Sequence, residues 1–186
     1  DHRDLHSFPS RRSADLEIFD TAFQNCSGVT SIPSGLFDDN TAVTIFNSTF
    51  SGCTGLLAIP SGLFDNNTAV TGFSTTFYNC IGLTSIPTGL FDNNVSAETF
   101  LNIFRGCTGL TSIPSGLFDN NTNVQNLSGV FYGDANITGP YYVFWKQDGS
   151  LDTTKFPHLT NASNFYAACL GLDRSQIPSA YGGLAQ

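Results

Sequence analysis

A 27-residue period runs through this sequence and limits what the chain can become. Cys26, Cys53, Cys80 and Cys107 stand 27 residues apart. The same step relates Ile32, Ile59, Ile86 and Ile113, then Pro33, Pro60, Pro87 and Pro114, then Phe37, Phe64, Phe91 and Phe118. Phe23, Phe50, Phe77, Phe104 and Phe131 carry the series one unit further. A unit this short cannot bury its own apolar face, whereas stacked neighbours can, so the period predicts a solenoid with a continuous core. The ends depart from the unit. Asp134 stands where the fifth cysteine is due, and Cys169 follows 35 residues later, eight more than the period.

Within one unit, Val70, Phe73, Phe77 and Cys80 fall at i, i+3, i+7 and i+10, the spacing of one helix face. Thr68 or a preceding Asn is placed to cap such a helix, and Gly82 to end it in a left-handed conformation. Leu83-Thr84-Ser85-Ile86 reads as a short strand stopped by Pro87. Thr88-Gly89 then turns the chain so that Leu90 and Phe91 re-enter the core. The expected fold class is α/β, a leucine-rich-repeat-like solenoid of about five to six 27-residue coils. Each coil would contribute one short parallel strand and one helix. Residues 1–15 fit the unit badly and read as a degenerate, non-native segment. Residues 16–137 form the repeat array, 138–158 an inserted aromatic hairpin, and 159–186 a degenerate C-terminal repeat or cap.

The unit Phe-x-x-Cys-x-Gly-Leu-Thr-Ser-Ile-Pro-x-Gly-Leu-Phe-Asp resembles the BspA-like surface leucine-rich repeats of bacteria, over roughly residues 16–137 and more weakly 159–179. The resemblance implies an α/β solenoid on a secreted or cell-surface protein, acting as an adhesin or ligand-binding module. It implies no catalytic residue.

Composition narrows the partners. Charged residues make up only 12% of the chain, and the formal net charge is −8. Seven basic residues cannot form an extended footprint for nucleic acid, and an anionic membrane would repel the chain. No apolar run reaches membrane-spanning length. With no Met and no visible signal peptide, the chain reads as a processed product or a fragment.

The candidate chemistry is sparse. The cysteines occupy equivalent positions and are expected as a ladder of small buried groups. Stacked helices lie too far apart for disulfides between them. Asp65, Asp92 and Asp119 open a recurring Asp-Asn-Asn, which reads as a row of calcium ligands or as helix capping with an asparagine ladder. The Thr-Ser pairs, such as Thr84-Ser85, would line a solvated face. Tyr141, Tyr142 and Trp145 break the repeat and are the residues expected to contact a ligand, since aromatic side chains suit sugars and protein partners. No nucleophile elbow, metalloprotease helix or phosphate loop occurs.

The expectation is a non-enzymatic extracellular or cell-surface adhesion module without cofactor, presenting its repeats to a host or matrix protein or a glycan. The alternative is a structural spacer or phage-tail or filament component, and end-to-end self-association would favour it.

Overall fold

The computed structural model describes residues 17–138 and 154–166. Within them the chain winds as a solenoid. Isolated parallel bridges join Ile18 to Ile45, Ile45 to Gly72, Gly72 to Thr99, Thr99 to Asn126, and Asn126 to Asn161. The first four steps equal the sequence period, and the fifth spans the 35-residue interval. The longer fifth interval therefore keeps the bridge register.

Among the described residues there is no helix. Where the periodicity predicts one, the backbone forms a ladder between coils. The amides of Phe46, Ser48, Phe50 and Gly52 donate to the carbonyls of Gly72, Ser74, Thr76 and Tyr78, at 2.7–2.9 Å. The intervening amides of Thr49, Ser51 and Cys53 close three-residue turns on Phe46, Ser48 and Phe50. An α-helix would have used all of these donors internally. Left-handed φ values recur every four residues and interrupt any helix, at Ser48 (55°) and Gly52 (74°) in one coil and at Thr75 (57°) and Asn79 (55°) in the next. Asn and Gly adopt this conformation readily, whereas a β-branched Thr does not. Thr75 is held in place by its hydroxyl, which bonds the Ser74 carbonyl (2.6 Å) and pairs with the Ser48 hydroxyl (2.7 Å).

The expected helix face was nonetheless the buried face. Val70, Phe73, Phe77 and Cys80 are all fully buried. A chain that turns inward once every three or four residues yields the same spacing as a helix. The predicted strand at Leu83–Ile86 is likewise absent. A single backbone bond joins that segment to its neighbour, from the Thr84 amide to the Leu57 carbonyl (3.3 Å), with the Thr84 hydroxyl on the same oxygen (3.4 Å), and Thr84 and Ser85 face solvent. Gly82 has no left-handed φ. A Cβ there would lie 2.8 Å from the Thr54 carbonyl, so close approach of the preceding coil is what demands glycine. The turn at Gly89 (φ 73°) does follow the prediction, with Leu90 and Phe91 buried behind it.

The core is built from columns of phenylalanine. Phe23, Phe50, Phe77, Phe104 and Phe131 stack at centroid separations of 5.3–5.7 Å with nearly parallel rings, and Tyr166 continues the column at 6.1 Å. A second column contains Phe19, Phe46, Phe73 and Phe100. A third contains Phe37, Phe64, Phe91 and Phe118 and packs its rings at an angle against the second. Aromatic pairs of this kind contribute about 0.5–1.5 kcal/mol each beyond their buried area.

A polar column runs inside the turn. The carboxamide of Asn67 donates to the carbonyls of Phe37 (3.1 Å) and Asn40 (2.8 Å). Asn94 and Asn121 repeat these bonds one and two coils on. All three are fully buried. Their amides add a second donor, from the next coil, to carbonyls that already close turns, Phe37 with the Asn40 amide and Asn40 with the Val43 amide, while each Oδ1 of the three is buried without a partner. We expect Asn67→Ala to lower unfolding free energy by about 2 kcal/mol, from two lost bonds between coils. Urea denaturation checks this. A change below about 1 kcal/mol would show that the ladder is incidental.

Candidate functional site

Tyr141, Tyr142 and Trp145 lie outside the described residues. Asp65, Asp92 and Asp119 are exposed on successive coils, and an Oδ of Asp119 accepts a bond from the Lys155 ammonium at 2.6 Å. Among the described residues, no three His, Cys, Asp or Glu side chains converge as a metal site would require. With no helix present, the Asp-Asn-Asn run has no helix to cap. Its third residue forms the buried ladder, while Asn66, Asn93 and Asn120 reach the carbonyls of Asp38, Asp65 and Asp92 at 3.3–3.5 Å.

The cysteines do form one column. Cys53, Cys80 and Cys107 are buried free thiols, and Cys26 is a partly exposed one. Helix spacing is not what prevents disulfides, because parallel coils lie about 4.8 Å apart, within disulfide range. Instead each thiol is aimed at a carbonyl. Cys53, Cys80 and Cys107 donate to Phe23, Phe50 and Phe77 at 3.0–3.2 Å. Burial pushes all three thiols up, Cys80 to about 12.

Asp134 takes the next place in this column. Its side chain is fully buried, and neither carboxyl oxygen has a hydrogen-bond partner. Burial pushes it up to about 8. The nearby amides of Cys107 and Gly106 offset part of that shift, although they are committed to the carbonyls of Phe104 and Tyr132.

The open polar feature of the described surface is a groove of about 390 Å³ lined by Thr71, Ser96, Glu98, Asn123, Gln125 and His158. Its floor follows from the backbone. The amides of Glu98, Gln125 and Thr160 donate to the carbonyls of Thr71, Glu98 and Gln125 at 2.8–2.9 Å, which places these residues in one row. Ser96, Asn123 and His158 form a second row, two residues earlier in each coil. The residues between the rows, Val70, Ala97 and Val124, are fully buried. Alternation along a locally extended chain thus sends both rows outward. The Asn123 carboxamide is anchored on the Val95 carbonyl (3.0 Å). Among the described residues, nothing bonds the side chains of Ser96, Glu98, Gln125 or His158, so their polar atoms face the groove unengaged.

Although Ser96, His158 and Glu98 are residue types used in nucleophilic catalysis, no hydrogen bond joins them. Two coil steps separate Ser96 from His158, roughly 10 Å, too far for proton transfer. Sequence reasoning passed over this groove. The signal was available in the repeat alignment, as outward positions whose identity changes from coil to coil.

On another part of the surface Arg105 stacks 4.3 Å over the Tyr132 ring and 6.0 Å from that of Tyr78. These residues share one position in three successive coils.

No protein-family model matches this sequence, and no curated protein is significantly similar to it. Solved structures show a slight likeness. A leucine-rich repeat protein of T. pallidum is 18% identical, over 82% of this chain and 69% of its own, with a TM-score of 0.42. A leucine-rich cell-surface protein from Faecalibacterium prausnitzii is 20% identical over 84% of this chain, with a TM-score of 0.43. Only 35% of that protein is covered. A leucine-rich repeat protein from Bacteroides ovatus is 18% identical, over 86% of this chain and 52% of its own, with a TM-score of 0.32. Similarity at this level does not place the chain in a family.

Two outcomes follow from the thiol column. A thiolate is the reactive form, so native-state alkylation mapped by peptide mass should modify Cys26 well before Cys53, Cys80 or Cys107. Equal rates would contradict the buried column. Asp134 should make stability pH-dependent. Its folded form keeps a proton that the unfolded form sheds above about pH 4, so its stability contribution is complete below that and is lost as pH rises through about 8. Asp134→Cys should raise unfolding free energy at pH 8 by on the order of 4 kcal/mol and flatten the profile between pH 4 and 8. Urea titrations across that range measure both.

Proposed function

We propose that this chain is a non-enzymatic binding module, a leucine-rich-repeat-like solenoid working outside the cell or at its surface, that takes a protein or glycan partner across the coil-spanning groove. One observation carries the reading. The inward columns repeat from coil to coil, whereas the outward rows of the groove do not. One row runs Ala42, Ala69, Ser96, Asn123, His158, and the other Thr44, Thr71, Glu98, Gln125, Thr160. Packing explains the constancy of the first set. Nothing in packing requires the second set to change from methyl and hydroxyl groups to carboxylate, carboxamide and imidazole. A face that differs locally on a uniform frame provides the specificity that identical coils lack, and unengaged polar groups in a groove suit recognition.

Catalysis fits poorly, because the groove's hydroxyl, imidazole and carboxylate do not meet. A partner bound here makes several modest polar contacts, which copies of the module on a surface would reinforce. The aromatic residues Tyr141, Tyr142 and Trp145 are candidates for further contact with the partner.

Peptide and glycan arrays probed with the wild type and with the double variant Gln125→Ala/His158→Ala test the reading. Ligands of the wild type should lose at least about tenfold in affinity with the variant, as expected when two polar contacts are removed. Trp145→Ala reads the aromatic segment separately. Ligands indifferent to the groove, or no ligand together with concentration-dependent polymers in sedimentation, would replace this reading with the structural spacer.

A further inference from the structure

We infer that the groove takes an extended basic peptide segment, with the Glu98 carboxylate receiving an arginine or lysine side chain. The inference rests on the binding-module reading and specifies its ligand.

Charge points to a cation. Among the described residues carboxylates far outnumber Lys and Arg, which are Arg105 and Lys155. Both bases are already engaged, Arg105 against the Tyr132 ring and Lys155 with Asp119. Glu98 has neither an ion pair nor a hydrogen bond with any described residue, and it faces a groove with no Lys or Arg in its lining. A free carboxylate in such a groove, on a chain of net charge −8, concentrates cations and repels anions.

The remaining lining points to a peptide. Asn123 and Gln125 offer carboxamides, and Ser96 and Thr71 offer hydroxyls, all able to pair with main-chain N–H and C=O groups. The two rows run across successive coils at about 4.8 Å per step, so an extended chain rising about 3.3 Å per residue can lie between them. The groove lining contains no Phe, Tyr or Trp, so it lacks the stacking platform that favours a sugar ring. Carboxylate and carboxamide oxygens together present several acceptors to a guanidinium or ammonium, and such charge-assisted bonds are the strong ones.

The test uses fluorescein-labelled Gly-Arg-Gly-Arg-Gly, its Gln-for-Arg and Glu-for-Arg counterparts, and a labelled neutral β-linked oligosaccharide, read by fluorescence anisotropy. The Arg peptide should bind the full chain at least about tenfold more tightly than the Gln peptide, and the Glu peptide should not bind. Glu98→Gln should bring the Arg peptide to the level of the Gln peptide. Glu17→Gln, in the same row three coils away, should change affinity less than about twofold, the residue expected of a distant screened charge. Thermal melts of both variants should match the wild type, so that a loss reports on the site and not on folding.

Equal binding of the Arg and Gln peptides, or no effect of Glu98→Gln, overturns the inference. An equal loss in Glu17→Gln also overturns it, since attraction would then come from the diffuse field. If the oligosaccharide binds and Gln125→Ala/His158→Ala abolishes that binding, the basic-peptide inference fails while the binding-module reading survives. If no probe binds and the arrays yield no groove-sensitive ligand, both fail.

Discussion

In this protein each coil is held to the next by backbone amides that a helix would have kept for itself. Alternate N–H groups between Phe46 and Gly52 reach across to the following coil, and the amides between them close tight turns. That division fixes the vertical spacing at the separation of hydrogen-bonded strands. It also aligns equivalent residues one above another, so the phenylalanine rings stack, the asparagines bridge and the thiols find carbonyls. If the register slipped by one residue, every column would lose its partners at once. The structure is cooperative along its axis for that reason, with each coil supplying the surface on which its neighbour packs.

The columns differ in how well they fill their role. Phenylalanine stacks satisfy themselves, since a flat ring repeated at 5.3–5.7 Å leaves no polar group behind. Asparagine fits through its carboxamide N–H groups, which tie two carbonyls of the neighbouring coil's turn to the next coil, at the cost of a buried Oδ1 without a partner. Cysteine fits as a small apolar group with a weak donor. Asp134 fits worst. It inherits the thiol's place with two acceptor oxygens and no partner for either, and the same burial that suits a thiol works against a carboxylate. The column's tolerance is set by chemistry at the site, not by volume.

On the outside the logic reverses. The ladder needs only backbone on the bridge face, so side chains that alternate outward there are free to vary. The variation gathers in the later coils, where carboxylate, carboxamides and imidazole replace the alanines and threonines of the two coils before them. A rigid frame holds these groups without spending them on internal bonds. Such an arrangement serves recognition better than catalysis, because the separation of Ser96 from His158 is fixed by two coil steps and cannot close.

The repeat arrangement, the stacked core and the identity of the inward residues were legible in the sequence, because a fixed period of apolar residues has few ways to bury itself. Phe73, Phe77 and Cys80 were recognised as one buried face, and the thiols as one column. Two things were not legible. The spacing i, i+3, i+7 is shared by a helix and by a chain of short turns, and only the competition between internal and inter-coil hydrogen bonds decides between them. Ser48 with Gly52 and Asn102 with Gly106, poor helix formers placed four apart, were the hint. The groove was invisible for a different reason. Thr71, Glu98, Gln125 and His158 are far apart in the chain and ordinary one by one, and they become a single surface only when winding in register brings four coils side by side.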